Sequence, residues 1–232
     1  MKISVIGAAG NVGSCAACNI ALHKVADEVV MIDDYSPDGL DQYAFDLQAA
    51  VTGLDAQVRK GSYEDLYGSD IIIMAAGSAQ IVASRQEVLP RNLPLVVEIA
   101  DRIKQCCPET VLITATNPVC PPVYAMCRRT GFDRMKVLGC SANDSVRFRM
   151  FVAQALGVPA SRVQATVIGE HGDSQVLLFS SVLLGHGGVR EIPEWSITPE
   201  EHEELERSVE AIRPLTAYVD DFLKNNPPKT LS

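Results

Sequence analysis

Three glycines, Gly7, Gly10 and Gly13, follow the β-branched run KISVI (residues 2–6) and lead into SCAACNIALHKV, which reads as a helix. A strand that passes through a glycine turn straight into a helix leaves the chain few folds to choose from. Glycine permits the tight turn and the close approach of backbone to a pyrophosphate, and the helix starts with free N–H groups and the positive end of its dipole. The spacing is G-x-x-G-x-x-G, a variant of the dinucleotide-binding G-x-G-x-x-G and a weak signal by itself. A glycine-rich turn with a polar strand end would look the same. The second strand strengthens the reading, because EVVMID (28–33) ends at Asp33, twenty residues beyond Gly13. A carboxylate there accepts hydrogen bonds from ribose hydroxyls and repels a 2′-phosphate, which favours NAD over NADP. The adjacent Asp34 can share or replace this role.

Further strands follow. DIIIMAAG (70–77) is apolar throughout, as suits a strand covered on both faces. VLITATNP (111–118) is another, and EVLPRNLPLVVEIADRIKQCCP between them reads as a helix interrupted near Pro90 and Pro94. Strands alternating with helices predict an α/β fold, a Rossmann-type doubly wound parallel sheet. After about residue 140 the pattern changes. ATVIGEHGD and QVLLFSSVLLG look like strand material joined by a turn, and SITPEEHEELERSVEAIRPLTAYVDDFLKNN like a charged surface helix opening on Thr-Pro-Glu-Glu. The expected division is a dinucleotide-binding domain over residues 1–140 and a smaller α+β substrate domain over 141–232. A chain of 232 residues is long enough for both.

Composition excludes some classes. A formal charge of −9 makes a poor generic binder of nucleic acid or of anionic membranes. No run of about 18 apolar residues suggests a membrane span. The N-terminus enters a strand without a secretory apolar region, so a cytoplasmic location is expected. Seven cysteines, two of them adjacent at Cys106 and Cys107, do not form a disulfide framework. Cys15 and Cys18 make a C-x-x-C with no second pair. They read as two small apolar residues on a buried helix face, and no metal is expected.

His171 stands apart from the other three histidines, in the glycine-flanked GEHGDS (169–174) between Glu170 and Asp173. In ANDSVRFR (142–149), Asp144 and Arg147 are three residues apart and share a helix face. If Asp144 bonds one ring nitrogen of His171, it fixes the tautomer, and the other nitrogen can exchange a proton with an alcohol or carbonyl. Arg147 can grip a carboxylate through two parallel hydrogen bonds. On spacing alone, a helix ion pair beside an unrelated turn histidine accounts for these residues equally well. Short-chain-type reductases need a Tyr-x-x-x-Lys couple. None of the six tyrosines has a lysine four residues on, Tyr124 coming nearest with Arg128.

VIGAAGNVG, the strand ending in Asp33, Ser84-Arg85, TNPV (116–119), NDSVRFR and GEHGDS occur in an order that resembles the lactate and malate dehydrogenase family of NAD-dependent 2-hydroxy acid dehydrogenases, over roughly residues 1–190. The resemblance implies reversible hydride transfer between NAD and a small 2-hydroxy or 2-oxo acid. It implies that His171 is the acid/base and Asp144 its orienting partner, and that Arg147 binds the substrate carboxylate. Arg85 would polarise the reacting carbonyl, Asn117 would hydrogen-bond the substrate near the nicotinamide, and Gln80 would face the substrate side chain. NAD would lie against Gly7, Gly10, Asn11, Val12, Gly13 and Asp33. Across the cleft it would meet Ala76, Gly77, Asn92 and Asn117. A homodimer or homotetramer is implied as well.

The match has departures. Malate-type members carry an arginine in the loop after the third apolar strand. Here that loop is SAQIVAS (78–84), where counting forward from Gly77 puts Gln80 at the arginine position and counting back from Arg85 puts Ala79 there. Neither is cationic, and a glutamine resembles the lactate-type members. The loop also lacks glycine and proline. Cys120 follows TNPV where the family usually has aspartate, and Asn143 stands for a usual leucine. Family chains run on through helices that close the substrate pocket, so the C-terminal domain is expected to be incomplete, truncated at its end. A catalytically inactive NAD-binding remnant or regulatory module is the alternative reading.

Overall fold

The first 140 residues build one sheet whose central strands are apolar on both faces. In the computed structural model, which describes residues 1–78, 85–163, 165–178, 184, 185, 188, 189 and 197–228, six strands pair in parallel. They are β1 (Lys2–Ile6), β2 (Glu28–Ile32), β3 (Gln57–Lys60), β4 (Ile71–Met74), β5 (Val111–Thr114) and β6 (Val137–Gly139), in the order β3-β2-β1-β4-β5-β6. Successive side chains point to opposite faces of a strand. Ile3, Val5, Val29 and Met31 therefore enter one core, while Ile6, Val30, Ile32, Ile72 and Met74 enter another.

Helices cover both faces. On the first lie α1 (Asn11–Leu22) and α2 (Pro37–Ala50), packed through Ala17, Ala21, Leu40 and Ala44. The buried helix face expected for the C-x-x-C pair does not hold, since Cys15 is exposed and Cys18 half-buried. On the second lie α3 (Leu89–Cys106) and α4 (Cys120–Thr130), packed through Leu93, Val96, Ile103, Ala125 and Met126. Burying each large side chain of this kind is worth roughly 1.5–3 kcal/mol. The expected interruption of α3 does not occur. Pro90 falls in the first turn, which has no intrahelical partner for its N–H, and Pro94 lies inside the helix. The apolar face of α3, buried from Leu89 to Ile103, outweighs the one ladder bond that Pro94 forgoes.

The region after residue 140 is short. It holds α5 (Ala142–Leu156), an antiparallel hairpin of β7 (Thr166–Gly169) and β8 (Gln175–Leu178), two paired dipeptides, β9 (Leu184–Gly185) and β10 (Gly188–Val189), and α6 (Pro199–Asn225). Its own core is small, with Ala153, Val163 and Ala165 backed by Phe148, Val152 and Val158. The expected Thr-Pro-Glu-Glu start holds. Thr198 caps α6 by accepting the Glu201 N–H at 3.2 Å, and Glu201 accepts the Thr198 N–H at 2.7 Å. The expectation of a purely surface helix does not. Val219 is buried, and Leu215, Phe222 and Leu223 pack on the same core as α3 and α4. No described helix is long and apolar enough to cross a membrane.

Candidate active site

The sheet order reverses between β1 and β4, and in doubly wound sheets ligands bind in the crevice outside the carboxyl ends of the strands at such a switch point. Gly7 leaves β1 with φ of +82°, a conformation that favours glycine. A Cβ on Gly7 would stand 2.5 Å from the Ala76 amide nitrogen of the β4 loop, and one on Gly13 would stand 2.1 Å from the Gly7 carbonyl oxygen. Only glycines fit at both positions. Gly10 caps α1 without a side-chain hydrogen bond, so the first-turn amides of Asn11 and Val12 start the helix beside the crevice.

Asp33 stands at the end of β2 with its carboxylate on this turn. Its Oδ2 accepts the Ala9 N–H at 3.0 Å, and its Oδ1 accepts those of Tyr35 and Ser36 at 3.0 and 3.2 Å. Its neighbour Asp34 is exposed. Opposite, Asn92 is 2% exposed and braces two loops. Its side-chain oxygen accepts the Ser78 N–H at 2.8 Å, and its amide donates to the Asn117 carbonyl at 2.8 Å. A Cβ on Gly77 would meet this same side chain at 3.1 Å. Thr116, to which no sequence motif gives a role of its own, is buried and donates to the Ala76 carbonyl at 2.6 Å. These two polar side chains join the β4 loop to the β5 loop, and Asn117 itself is exposed, ahead of a cis bond to Pro118.

A second group of residues converges from α5 and the β7–β8 hairpin. Asp144 lies in the first turn of α5, and its Oδ2 is hydrogen-bonded to Nδ1 of His171. The two side chains are 12% and 8% exposed, so this contact is made largely away from water. Arg147 puts Nη1 3.7 Å from the other oxygen of Asp144, while most of its side chain remains exposed. Helix and hairpin are tied by Ser145, whose hydroxyl accepts the Val167 N–H at 2.9 Å.

The turn itself explains the glycines of GEHGDS. Gly169 has φ of +83°, and a Cβ there would stand 2.5 Å from Oγ of Ser208 on α6. The carboxylate flanking His171 on its N-terminal side does not serve the imidazole: Ser174 donates its hydroxyl to Glu170. Asp173 is exposed. The amides of Glu170 and His171 instead reach other helices, donating to Ser208 Oγ at 2.8 Å and to Cys120 Sγ at 3.4 Å. Burial pushes the Cys120 thiol above its ordinary range. Neither role was legible in the sequence, where Cys120 is only a departure from the family's usual aspartate and Ser208 one more position on a helix.

Gln80 and the side chain of Arg85 lie outside the described residues, Arg85 opening a short 3-10 turn that ends at Val88. Among the described residues no group of three or more His, Cys, Asp or Glu gathers to hold a metal ion. A glycine turn that opens a helix at the switch point of a doubly wound sheet, with a carboxylate at the end of the neighbouring strand, defines the class of dinucleotide-binding proteins, and a largely buried imidazole–carboxylate pair lies in the region after residue 140.

Comparison with known proteins narrows this class. Residues 1–139 match the lactate/malate dehydrogenase NAD binding domain, and residues 143–209 match the lactate/malate dehydrogenase alpha/beta C-terminal domain. The chain belongs to the lactate/malate dehydrogenase family. Among its relatives is L-lactate dehydrogenase B of Hordeum vulgare, 40% identical over 195 residues, which cover 79% of this chain and 54% of the barley protein. The malate dehydrogenase of Haloarcula marismortui is 35% identical over 185 residues, covering 78% and 61%. The chain thus spans little more than half the length of these relatives. The fold is that of the apo malate dehydrogenase of Picrophilus torridus, with a TM-score of 0.88 at 23% identity, covering 97% of this chain and 99% of that one. A lactate dehydrogenase of Cryptosporidium parvum, complexed with lactic acid and nicotinamide adenine dinucleotide, gives 0.86 at 22% identity, covering 98% of each.

Proposed function

We propose that this chain is an NAD-dependent 2-hydroxy acid dehydrogenase, with residues 1–140 binding the dinucleotide and residues 141–232 supplying the catalytic side chains. The observation that carries the reading is the hydrogen bond between Nδ1 of His171 and Asp144, made by two largely buried side chains 27 residues apart. Bound in the glycine-lined cradle, NAD would supply the hydride acceptor for C2 of the hydroxy acid, and NADH the hydride donor for the 2-oxo acid. With Nδ1 held by Asp144, Nε2 of His171 takes the hydroxyl proton in one direction and returns it to the carbonyl oxygen in the other. Asp144 holds the tautomer and stabilises the imidazolium. The exposed guanidinium of Arg147, beside the same carboxylate, binds the substrate carboxylate. Arg85 polarises the carbonyl, as the family resemblance implies.

The dinucleotide cradle fits its ligand. Gly7 and Gly13 leave no room for a Cβ, and α1 offers uncapped amides to a pyrophosphate. Asn11, Val12, Ala76, Gly77 and Asn117 complete the cradle. Asn92 contributes chiefly by bracing the loops that carry Gly77 and Asn117. The carboxylate of Asp33 turns from the backbone amides it now accepts to the ribose hydroxyls.

The substrate we infer is a 2-oxo acid with an uncharged side chain. The segment SAQIVAS contains no cation to pair with a second carboxylate, and Gln80 offers an amide in its place. A homo-oligomer belongs to the same reading, supported by the exposed Val146, Met150 and Phe151 of α5. So does a cytoplasmic setting, supported by seven free cysteines. The test is to mix the protein with NADH and a panel of pyruvate, oxaloacetate and branched 2-oxo acids, and to follow NADH absorbance. Oxidation with pyruvate ahead of oxaloacetate is expected. Tight NADH binding with no turnover on any acid would overturn the reading in favour of an NAD-binding remnant.

A further inference from the structure

We propose that Cys120 and Ser208 form a two-point clamp on the backbone of the His171 turn, and that both are positioning residues for the imidazole. The inference rests on the dehydrogenase reading for its catalytic consequence, but not for its structural content. Glu170 and His171 are consecutive residues at the tip of a hairpin whose strands end at Gly169 and begin again at Gln175. Their amides point away from the β7–β8 ladder. A turn containing Gly169 and Gly172 has little stiffness of its own. Each amide nonetheless donates to a side chain, and the two side chains come from different helices: Cys120 from the start of α4, Ser208 from the middle of α6.

Three observations make this more than incidental packing. Ser208 is 0% exposed, so its hydroxyl has no water to compete with the Glu170 amide. Its oxygen lies so near Gly169 that a Cβ there would clash at 2.5 Å, so the glycine lets the turn come close enough to α6 for the bond to form. Cys120 sits at the first position of α4, three residues after Asn117, on the helix that follows the β5 loop. The sulfur therefore links the turn carrying the proton-transfer group to the loop carrying the substrate-facing asparagine. Asp144 holds the ring from α5, and the clamp holds the backbone from α4 and α6. Without the clamp the ring can still pair with Asp144 but can swing relative to the crevice, and displacements of about 1 Å at a reacting group can cost on the order of 10²-fold in rate.

The experiment uses the full chain and three variants, Ser208→Ala, Cys120→Ala and Cys120→Ser. Amide hydrogen exchange is read at Glu170 and His171, alongside NADH affinity, kcat and KM for the 2-oxo acid. Ser208→Ala should speed exchange at Glu170 about tenfold or more, and Cys120→Ala should do so at His171. Both should lower kcat about tenfold or more with NADH affinity unchanged. Cys120→Ser, which keeps an acceptor at the same position, should recover most of the exchange protection and of kcat. Unchanged exchange at both amides would overturn the clamp whatever the kinetics. Equal losses in Cys120→Ala and Cys120→Ser would overturn it too, because a packing role alone predicts that. If the parent turns over no 2-oxo acid, the dehydrogenase reading fails, and exchange alone decides for or against the clamp.

Discussion

Arg129 grips Asp101 with two nitrogens, Nε and Nη2, at 2.6 and 2.7 Å, both side chains being less than a tenth exposed. Its third nitrogen donates to the Asn226 carbonyl at 2.6 Å, just past the end of α6. One guanidinium thus joins α3, α4 and the last helix. Arg129→Met leaves the Asp101 carboxylate buried and alone, and should lower stability by about 3–5 kcal/mol in urea denaturation. Changing both residues together, Arg129→Met with Asp101→Leu, should recover most of that loss. A double variant as unstable as the single one would show that the attachment of α6 matters more than the stranded charge.

Asp33 accepts hydrogen bonds from three backbone amides, those of Ala9, Tyr35 and Ser36, and in the proposed function its carboxylate takes the ribose hydroxyls. Asp33→Ala should weaken NADH binding and relax the discrimination against NADPH. Titrating both cofactors by fluorescence checks this. An unchanged ratio of the two affinities would move the selectivity to Asp34 or elsewhere.

His171→Asn should bind NADH as the parent does and lose about 10²–10⁴-fold or more in kcat, the range general acid/base assistance usually supplies. Asp144→Asn should have a similar effect on kcat while keeping the fold, because an amide at that position can present its N–H to Nδ1 and select the wrong tautomer. Stopped-flow single turnovers and NADH titration separate the two quantities. Comparable rates for the variants and the parent would remove the pair from the mechanism.

The cysteines should differ in reactivity. Burial pushes the thiols of Cys107 and Cys120 upward, so at a given pH each has a smaller thiolate fraction than an ordinary cysteine. Cys15 and Cys140 are exposed. Timed alkylation with iodoacetamide near pH 8, read by mass spectrometry, should label Cys15 and Cys140 first and Cys107 and Cys120 last. Raising the pH should narrow the gap. Early labelling of Cys120 would mean that its sulfur is not held against the His171 turn.

The sequence alone was sufficient for whatever a local rule determines. The glycine turn, the strand ending at Asp33 and the capped start at Thr198 each depend on residues a few positions apart, where backbone conformation and turn chemistry speak directly. The central strands were legible because both faces of each are apolar. The edges were not. QVRK carries two charges and VLG has three residues, so β3 and β6 exist as strands only through pairing with β2 and β5. Pro94 misled because its local penalty is outweighed by a face of α3 that only the folded sheet buries. The site divides in the same way. His171, Asp144 and Arg147 were recognisable as residues, but their spacing fitted an unrelated turn histidine equally well. Tertiary structure alone brought Asp144 to Nδ1, gave Asn92 and Thr116 their bracing partners, and set Cys120 and Ser208 against the amides beside the ring. Such contacts join residues tens of positions apart, and the free energy that selects them comes from packing elements distant in sequence, α4 against α6 and both α5 and α6 against the β7–β8 hairpin, which no window of sequence contains.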